Sequence, residues 1–104
     1  MASPVKIAMI GCGGIANQHT RGYAELYKGG CRDFEYVACC DINEAGAKAR
    51  AAQIAEIQGA EPKVFTDVGA LLQSGIAEAA DICLPHWLHH IIGIQCLEGG
   101  LHVM

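Results

Sequence analysis

The stretch IGCGGIANQH, Ile10 to His19, decides the fold. It follows the apolar run VKIAMI (Val5–Ile10) and leads into residues that suit a helix. Glycine weakens strand and helix interiors alike, so a glycine cluster at their junction has a local reason. Gly11-Cys12-Gly13-Gly14-Ile15-Ala16 reads G-x-G-x-x-A between strand and helix, the setting in which that pattern signals dinucleotide binding. Gly11 permits the tight turn out of the strand. Gly13 leaves the backbone bare for a diphosphate, and Ala16 lets the helix lie close to the sheet. The free N–H groups at the helix start, around Gly14 and Ile15, present partial positive charge to an anion. Cys12 fills the variable place between two glycines, and the helix start beside it lowers its pKa.

Outward from this loop, strands and helices alternate. A helix is expected over Gly14–Lys28, with Ile15, His19, Tyr23 and Leu26 on its inner face. Phe34–Cys40 (FEYVACC) reads as a second strand and Glu44–Gln58 as a second helix. Asn43 is its N-cap, Ala47, Ala51, Ile54 and Ala55 point inward, and Gly59 stops it. Lys63–Phe65 is a short strand, Asp67 caps a short helix over Val68–Gln73, and Ala80–Leu84 is a fourth strand stopped by Pro85. His86–Glu98 reads as a helix with Leu88, Ile91, Ile92 and Gln95 on related turns, and Leu101–Met104 begins a fifth strand. This alternation, with near-continuous apolar strands, predicts an α/β Rossmann-type fold: a doubly wound, five-stranded parallel sheet in three α/β/α layers.

The acid that closes the second strand, Asp41, is the other half of the signal. A carboxylate there accepts hydrogen bonds from both ribose hydroxyls of an adenosine and repels a 2′-phosphate. Ile42 and Asn43 supply no arginine to offset that repulsion, so NAD is expected over NADP. FAD or S-adenosylmethionine on the same scaffold, and a glycine turn that merely packs a helix with Asp41 as a helix cap, are the alternatives.

The remaining composition narrows the class. The chain has 104 residues, 52% of them apolar, enough for one domain with a real core. Its formal charge of −4, with acids and bases interspersed, offers no basic stripe for nucleic acid. No secretion leader and no membrane span is read. The six cysteines lack Cys-x-x-Cys spacing, and the neighbours Cys39 and Cys40 point to opposite faces of a strand. Reduced, buried thiols in a cytoplasmic protein are expected. His86, His89 and His90 have helical spacing but no carboxylate in the same turn, so no metal is expected there. His19 is expected to be satisfied and partly buried, and Trp87 to pack.

The motifs KIAMIGCGGIANQH, VACCDIN, FTDVGALLQSG and ADICLPHWLHHIIGIQCLEGGLHVM together resemble the N-terminal domain of the Gfo/Idh/MocA oxidoreductases, the glucose-fructose oxidoreductase and inositol dehydrogenase family. The resemblance implies an NAD(P)-binding Rossmann domain over residues 1–104, followed in the family by a larger substrate domain. It implies hydride transfer between a nicotinamide and a sugar, cyclitol or related hydroxyl compound. It also implies that Leu84, Pro85, His86 and His89 flank the cofactor alongside Gly11, Cys12, Gly13, Gly14, Ile15, Ala16, Asp41 and Ile42. The family's catalytic lysine belongs to a Glu-Lys-Pro motif that would follow Met104, so no catalytic residue is expected in this chain, which would bind cofactor without turnover. Leu84, His86 and Leu101 depart from the family's usual threonine or serine, asparagine and lysine. A nucleotide-sensing regulator and a stand-alone dinucleotide module are the non-enzymatic alternatives. Homo-oligomerisation is left open.

Overall fold

The computed structural model describes residues 3–103. Its elements are β1 (Val5–Ile10), α1 (Gly14–Lys28), β2 (Phe34–Cys40), α2 (Glu44–Gln58), β3 (Lys63–Phe65), α3 (Val68–Ser74), β4 (Ala79–Ile82), α4 (His86–Glu98) and β5 (His102–Val103). The strands form one sheet in the order β3-β2-β1-β4-β5, and every neighbouring pair is parallel. The chain therefore winds one way from β1 to β3 and the other way from β4 to β5. The crevice between the carboxyl ends of β1 and β4 is the switch point where open α/β sheets bind ligands. The expected doubly wound Rossmann-type sheet is the one observed.

Side chains alternate across β1 although its run looks continuously apolar. Ile7 and Met9 join Tyr36, Cys39 and Ala79 under α1 and α2, whereas Ala8 and Ile10 join Ala38, Cys40 and Ala80 under α3 and α4. Both faces of the sheet are thus covered, which is why the strands carry so few polar residues. Among the described strand residues the one buried charged side chain is Asp81, only 3% exposed in β4. Cys39 and Cys40 do fall on opposite faces, and all six cysteines are free.

The caps follow the sequence closely. The Asn43 side chain accepts from the Gly46 N–H at 3.2 Å, and that of Asp67 from the Ala70 N–H at 2.9 Å. Gly59 ends α2 in the left-handed conformation. The helix faces do not all follow it. In α1 the buried residues are Ala16, Thr20 and Tyr23, while Ile15 and Leu26 are 46% and 50% exposed and His19 lies at the surface. In α4 the buried residues are Gly93 and Cys96, and Ile91 is exposed. The reason is closeness. Small side chains, Ala16 and Thr20 on α1 and Gly93 and Cys96 on α4, sit where helix and sheet press closest, and the one large buried residue of α1, Tyr23, packs against the Phe34 and Tyr36 rings of β2. Thr20 satisfies its own hydroxyl by donating to the Ala16 carbonyl at 2.7 Å. Two further expectations fail. β4 ends at Ile82, before Leu84, and Trp87 is 70% exposed rather than packed. The expected strand end at Met104 lies outside the described residues.

Candidate functional site

The glycine loop leaves β1 at Gly11, whose φ of +89° only glycine adopts freely. Space forbids a side chain there as well. A Cβ on Gly11 would lie 2.5 Å from the Cys83 carbonyl oxygen and 2.7 Å from Leu84 Cδ2. Gly11 thus brings the turn hard against the end of β4. Gly13 and Gly14 differ, because a Cβ on either would meet nothing within 4 Å. Their missing side chains leave open space at the N-terminus of α1, where Gly13 is the N-cap and no side chain caps the helix. The first backbone bond of α1 runs from the Asn17 N–H to the Gly13 carbonyl at 3.2 Å. The N–H groups of Gly14, Ile15 and Ala16 precede it and are unpaired within the helix. Ala16 is fully buried, as close approach of helix and sheet requires.

Asp41 sits at the end of β2 beside this loop. One carboxylate oxygen accepts the Cys12 N–H at 2.8 Å, and the other accepts the Asn43 N–H at 2.9 Å. The acid therefore ties the glycine loop to the start of α2. Each oxygen keeps a further lone pair for a ligand. Arg50, on α2, grips the loop from the other side. Its guanidinium donates to the carbonyls of Cys12 at 3.3 Å and Gly13 at 3.1 Å, and to the side chains of Asn17 and Gln53. Cys12 is buried between these groups. The neighbouring Cys39 thiol, with Arg50 and the Cys40 backbone, rather than the helix start, holds the Cys12 thiol below its ordinary value, and burial and Asp41 oppose that shift.

A mostly apolar cleft of about 330 Å³ opens next to Asp41, across the carboxyl ends of β1, β2 and β3. Ile10, Gly11, Leu84, Leu88, Ile92 and Gln95 are among its walls, together with Asp41, Ile42 and the Thr66–Val68 turn. Of the residues expected to bind, Gly11, Asp41, Ile42 and Leu84 line this cleft, and Cys12, Gly13, Gly14, Ile15 and Ala16 form the neighbouring loop and helix start. Ile42 is 94% exposed. Pro85 is the N-cap of α4, His86 begins that helix and His89 sits in its first turns, all three outside the cleft lining. Leu88 and Ile92 form the wall on that side instead. Sequence reasoning missed them and Arg50. The signal for Leu88 and Ile92 is their spacing on related turns of α4, which does not say what that face meets.

A glycine turn, an open helix N-terminus and an acid at the second strand's end meet at one switch point. The family model for the oxidoreductase family's NAD-binding Rossmann fold matches residues 5–104. The chain belongs to the Gfo/Idh/MocA oxidoreductase family. None of the curated proteins matches it in sequence. Among solved structures, the WlbA dehydrogenase of Chromobacterium violaceum, in complex with NADH and UDP-GlcNAcA, is 30% identical with a TM-score of 0.76, over 99% of this chain and 27% of its own. The Bordetella pertussis WlbA dehydrogenase, in complex with the same two ligands, is 25% identical with a TM-score of 0.78, over 96% of this chain and 28% of its own. An NAD-binding oxidoreductase from Klebsiella pneumoniae is 27% identical with a TM-score of 0.75, over 97% of this chain and 26% of its own. The chain thus spans little more than a quarter of these relatives. It is an NAD-binding domain of a family of oxidoreductases. Among the described residues no helix is long and apolar enough to cross a membrane.

Proposed function

We propose that this chain is the NAD(H)-binding portion of an oxidoreductase that acts on a hydroxyl carbon of a sugar, nucleotide-linked sugar or cyclitol. The observation that carries the reading is the pairing of the bare loop at Gly13 and Gly14 with the Asp41 carboxylate at the mouth of the apolar cleft. The residues fit the dinucleotide. The open space over Gly13 and Gly14 suits a diphosphate, and the unpaired N–H groups of α1 would donate to it. Asp41 would accept from the adenosine ribose, and Leu84, Leu88 and Ile92 would cover the adenine. When bound, the nicotinamide supplies the hydride chemistry. The protein's part is to hold the loop rigid through Arg50 and Asp41, so that binding requires little ordering.

The substrate class draws on the two WlbA relatives, which were crystallised with a nucleotide sugar. The free thiols suit a reducing cytoplasm. Calorimetric titration with NADH and NADPH tests the reading. NADH is expected to bind at least about tenfold more tightly, a difference of about 1.4 kcal/mol. Equal affinities or a preference for NADPH would refute the role given to Asp41, and no binding of either would refute the reading itself.

A further inference from the structure

On the α1–α2 side of the sheet, apart from the cleft, three groups with metal-ligand chemistry converge. Asp81 pairs in register with Met9 of β1, so its side chain points under α1. His19, on α1, brings Nδ1 within 2.8 Å of both carboxylate oxygens. Cys83, two residues beyond Asp81 and on the same face, places Sγ 3.4 Å from that Nδ1 and 3.7 Å from Asp81 Oδ1. The Tyr36 hydroxyl donates to Asp81 Oδ2 at 2.8 Å and holds the carboxylate from behind. One nitrogen, one oxygen and one sulfur therefore form a small triangle, all within 4.8 Å of one another.

Zinc bonds of about 2.0–2.2 Å to nitrogen or oxygen and about 2.3 Å to sulfur, at tetrahedral angles, separate neighbouring ligand atoms by about 3.4–3.6 Å. The two edges that involve sulfur already have nearly that length. The nitrogen–oxygen edge is shorter by about 0.6 Å, the difference between a direct hydrogen bond and an ion held between the two atoms. His19 can make up that difference, because its side chain is 42% exposed while that of Asp81 is 5% exposed. The partly exposed His19 side chain also leaves a way in for an ion and for a water as fourth ligand.

We propose that His19, Asp81 and Cys83 form a zinc-class metal site that ties α1 to the end of β4 beneath the glycine loop. The donor set selects the metal. Imidazole and thiolate favour zinc and its neighbours over calcium and magnesium, which prefer all-oxygen shells. Charge favours it too, since a dication with one carboxylate and one thiolate leaves no net charge in the buried triangle. The protons balance. Cys83 gives up its thiol proton to solvent as the metal–sulfur bond forms. The Nδ1 proton that faces Asp81 moves, through solvent exchange, to Nε2, or leaves if the ring is charged. Tyr36 keeps its bond to the second carboxylate oxygen and so orients the ligand, as outer partners do in metal sites.

The test uses the reduced, metal-free 104-residue chain titrated with Co²⁺. The expected result is one tetrahedral Co²⁺ per chain, with a thiolate-to-cobalt charge-transfer band that Zn²⁺ displaces. Zn²⁺ at a hundredfold excess over its Kd should raise the melting temperature by about 10–20 °C. Cys83→Ser, nearly isosteric, should abolish the charge-transfer band. His19→Ala, a change at a helix surface, should weaken Co²⁺ binding on the order of a hundredfold. Far-UV circular dichroism identifies folded variants. Absence of the band, a band that survives Cys83→Ser because another cysteine provides it, or an affinity that His19→Ala leaves unchanged would each overturn the site. None of these readouts depends on dinucleotide binding.

Discussion

Gly11 and Gly13 are two positions apart, yet a side chain on the first would strike the backbone and on the second would meet open space. Replacing Gly11 by alanine forces a Cβ onto a residue at φ +89° and within 2.5 Å of the Cys83 carbonyl oxygen. The left-handed conformation costs about 1–2 kcal/mol for an L-residue. The overlap is with backbone, which cannot rotate away, and adds about 1–3 kcal/mol of overpacking. The sum, about 2–5 kcal/mol, is a large share of the roughly 5–15 kcal/mol that holds a typical domain together. At about 4–8 °C per kcal/mol, Gly11→Ala should melt at least about 10 °C below the parent. Replacing Gly13 by alanine adds a methyl group that touches nothing within 4 Å, at a φ of −89°. Its melting temperature should stay within a few degrees of the parent. The same methyl group stands where the diphosphate would approach, so calorimetry should find NADH at least about tenfold weaker, about 1.4 kcal/mol. A scanning-calorimetry pair decides between stability and binding. If Gly11→Ala melted with the parent, or if Gly13→Ala lost as much stability as Gly11→Ala, the two glycines would not divide stability and binding between them.

Other perturbations have equally definite outcomes. Asp41→Ala removes the acceptor of the Cys12 and Asn43 N–H groups, and should weaken NADH while bringing the NADH and NADPH affinities closer together by isothermal titration; a widened preference for NADH would contradict it. Arg50→Ala frees the Cys12 and Gly13 carbonyls and should weaken NADH by about three- to tenfold with little change in melting. Arg50→Lys should not restore binding, because an ammonium cannot span the same acceptors as a planar guanidinium. Tyr36→Phe strips a buried carboxylate of one donor, and urea unfolding should register a loss of about 1.5–3 kcal/mol. Stability should also fall at alkaline pH. Burial raises Tyr23 to about 12 and Cys40 to about 12, so both favour the folded state while protonated. Their contribution is complete below the unfolded values of 9.0 for the thiol and 10.0 for the phenol, and is lost as pH climbs towards about 12. A melting temperature constant from pH 8.5 to 11 would refute that sign.

The amino-acid sequence by itself determined the class of fold and marked the strand–helix junction where the candidate site lies. Local rules were sufficient for this. Glycines at a strand–helix junction, caps at Asn43 and Asp67, stops at Gly59 and Gly75 and an acid closing β2 are all recorded within a few residues of where they act. Only the tertiary structure decided which helix faces are buried, because helix–sheet closeness selects Ala16, Thr20, Gly93 and Cys96 over larger apolar neighbours. Only it brought Arg50 over the glycine loop, and Leu88 and Ile92 into the wall of the cleft, across gaps in sequence that no periodicity spans. The convergence of His19, Tyr36, Asp81 and Cys83 has the same origin. Strand order and register, not spacing along the chain, set three elements side by side, and a charged residue in the middle of the sheet had to find its partners there.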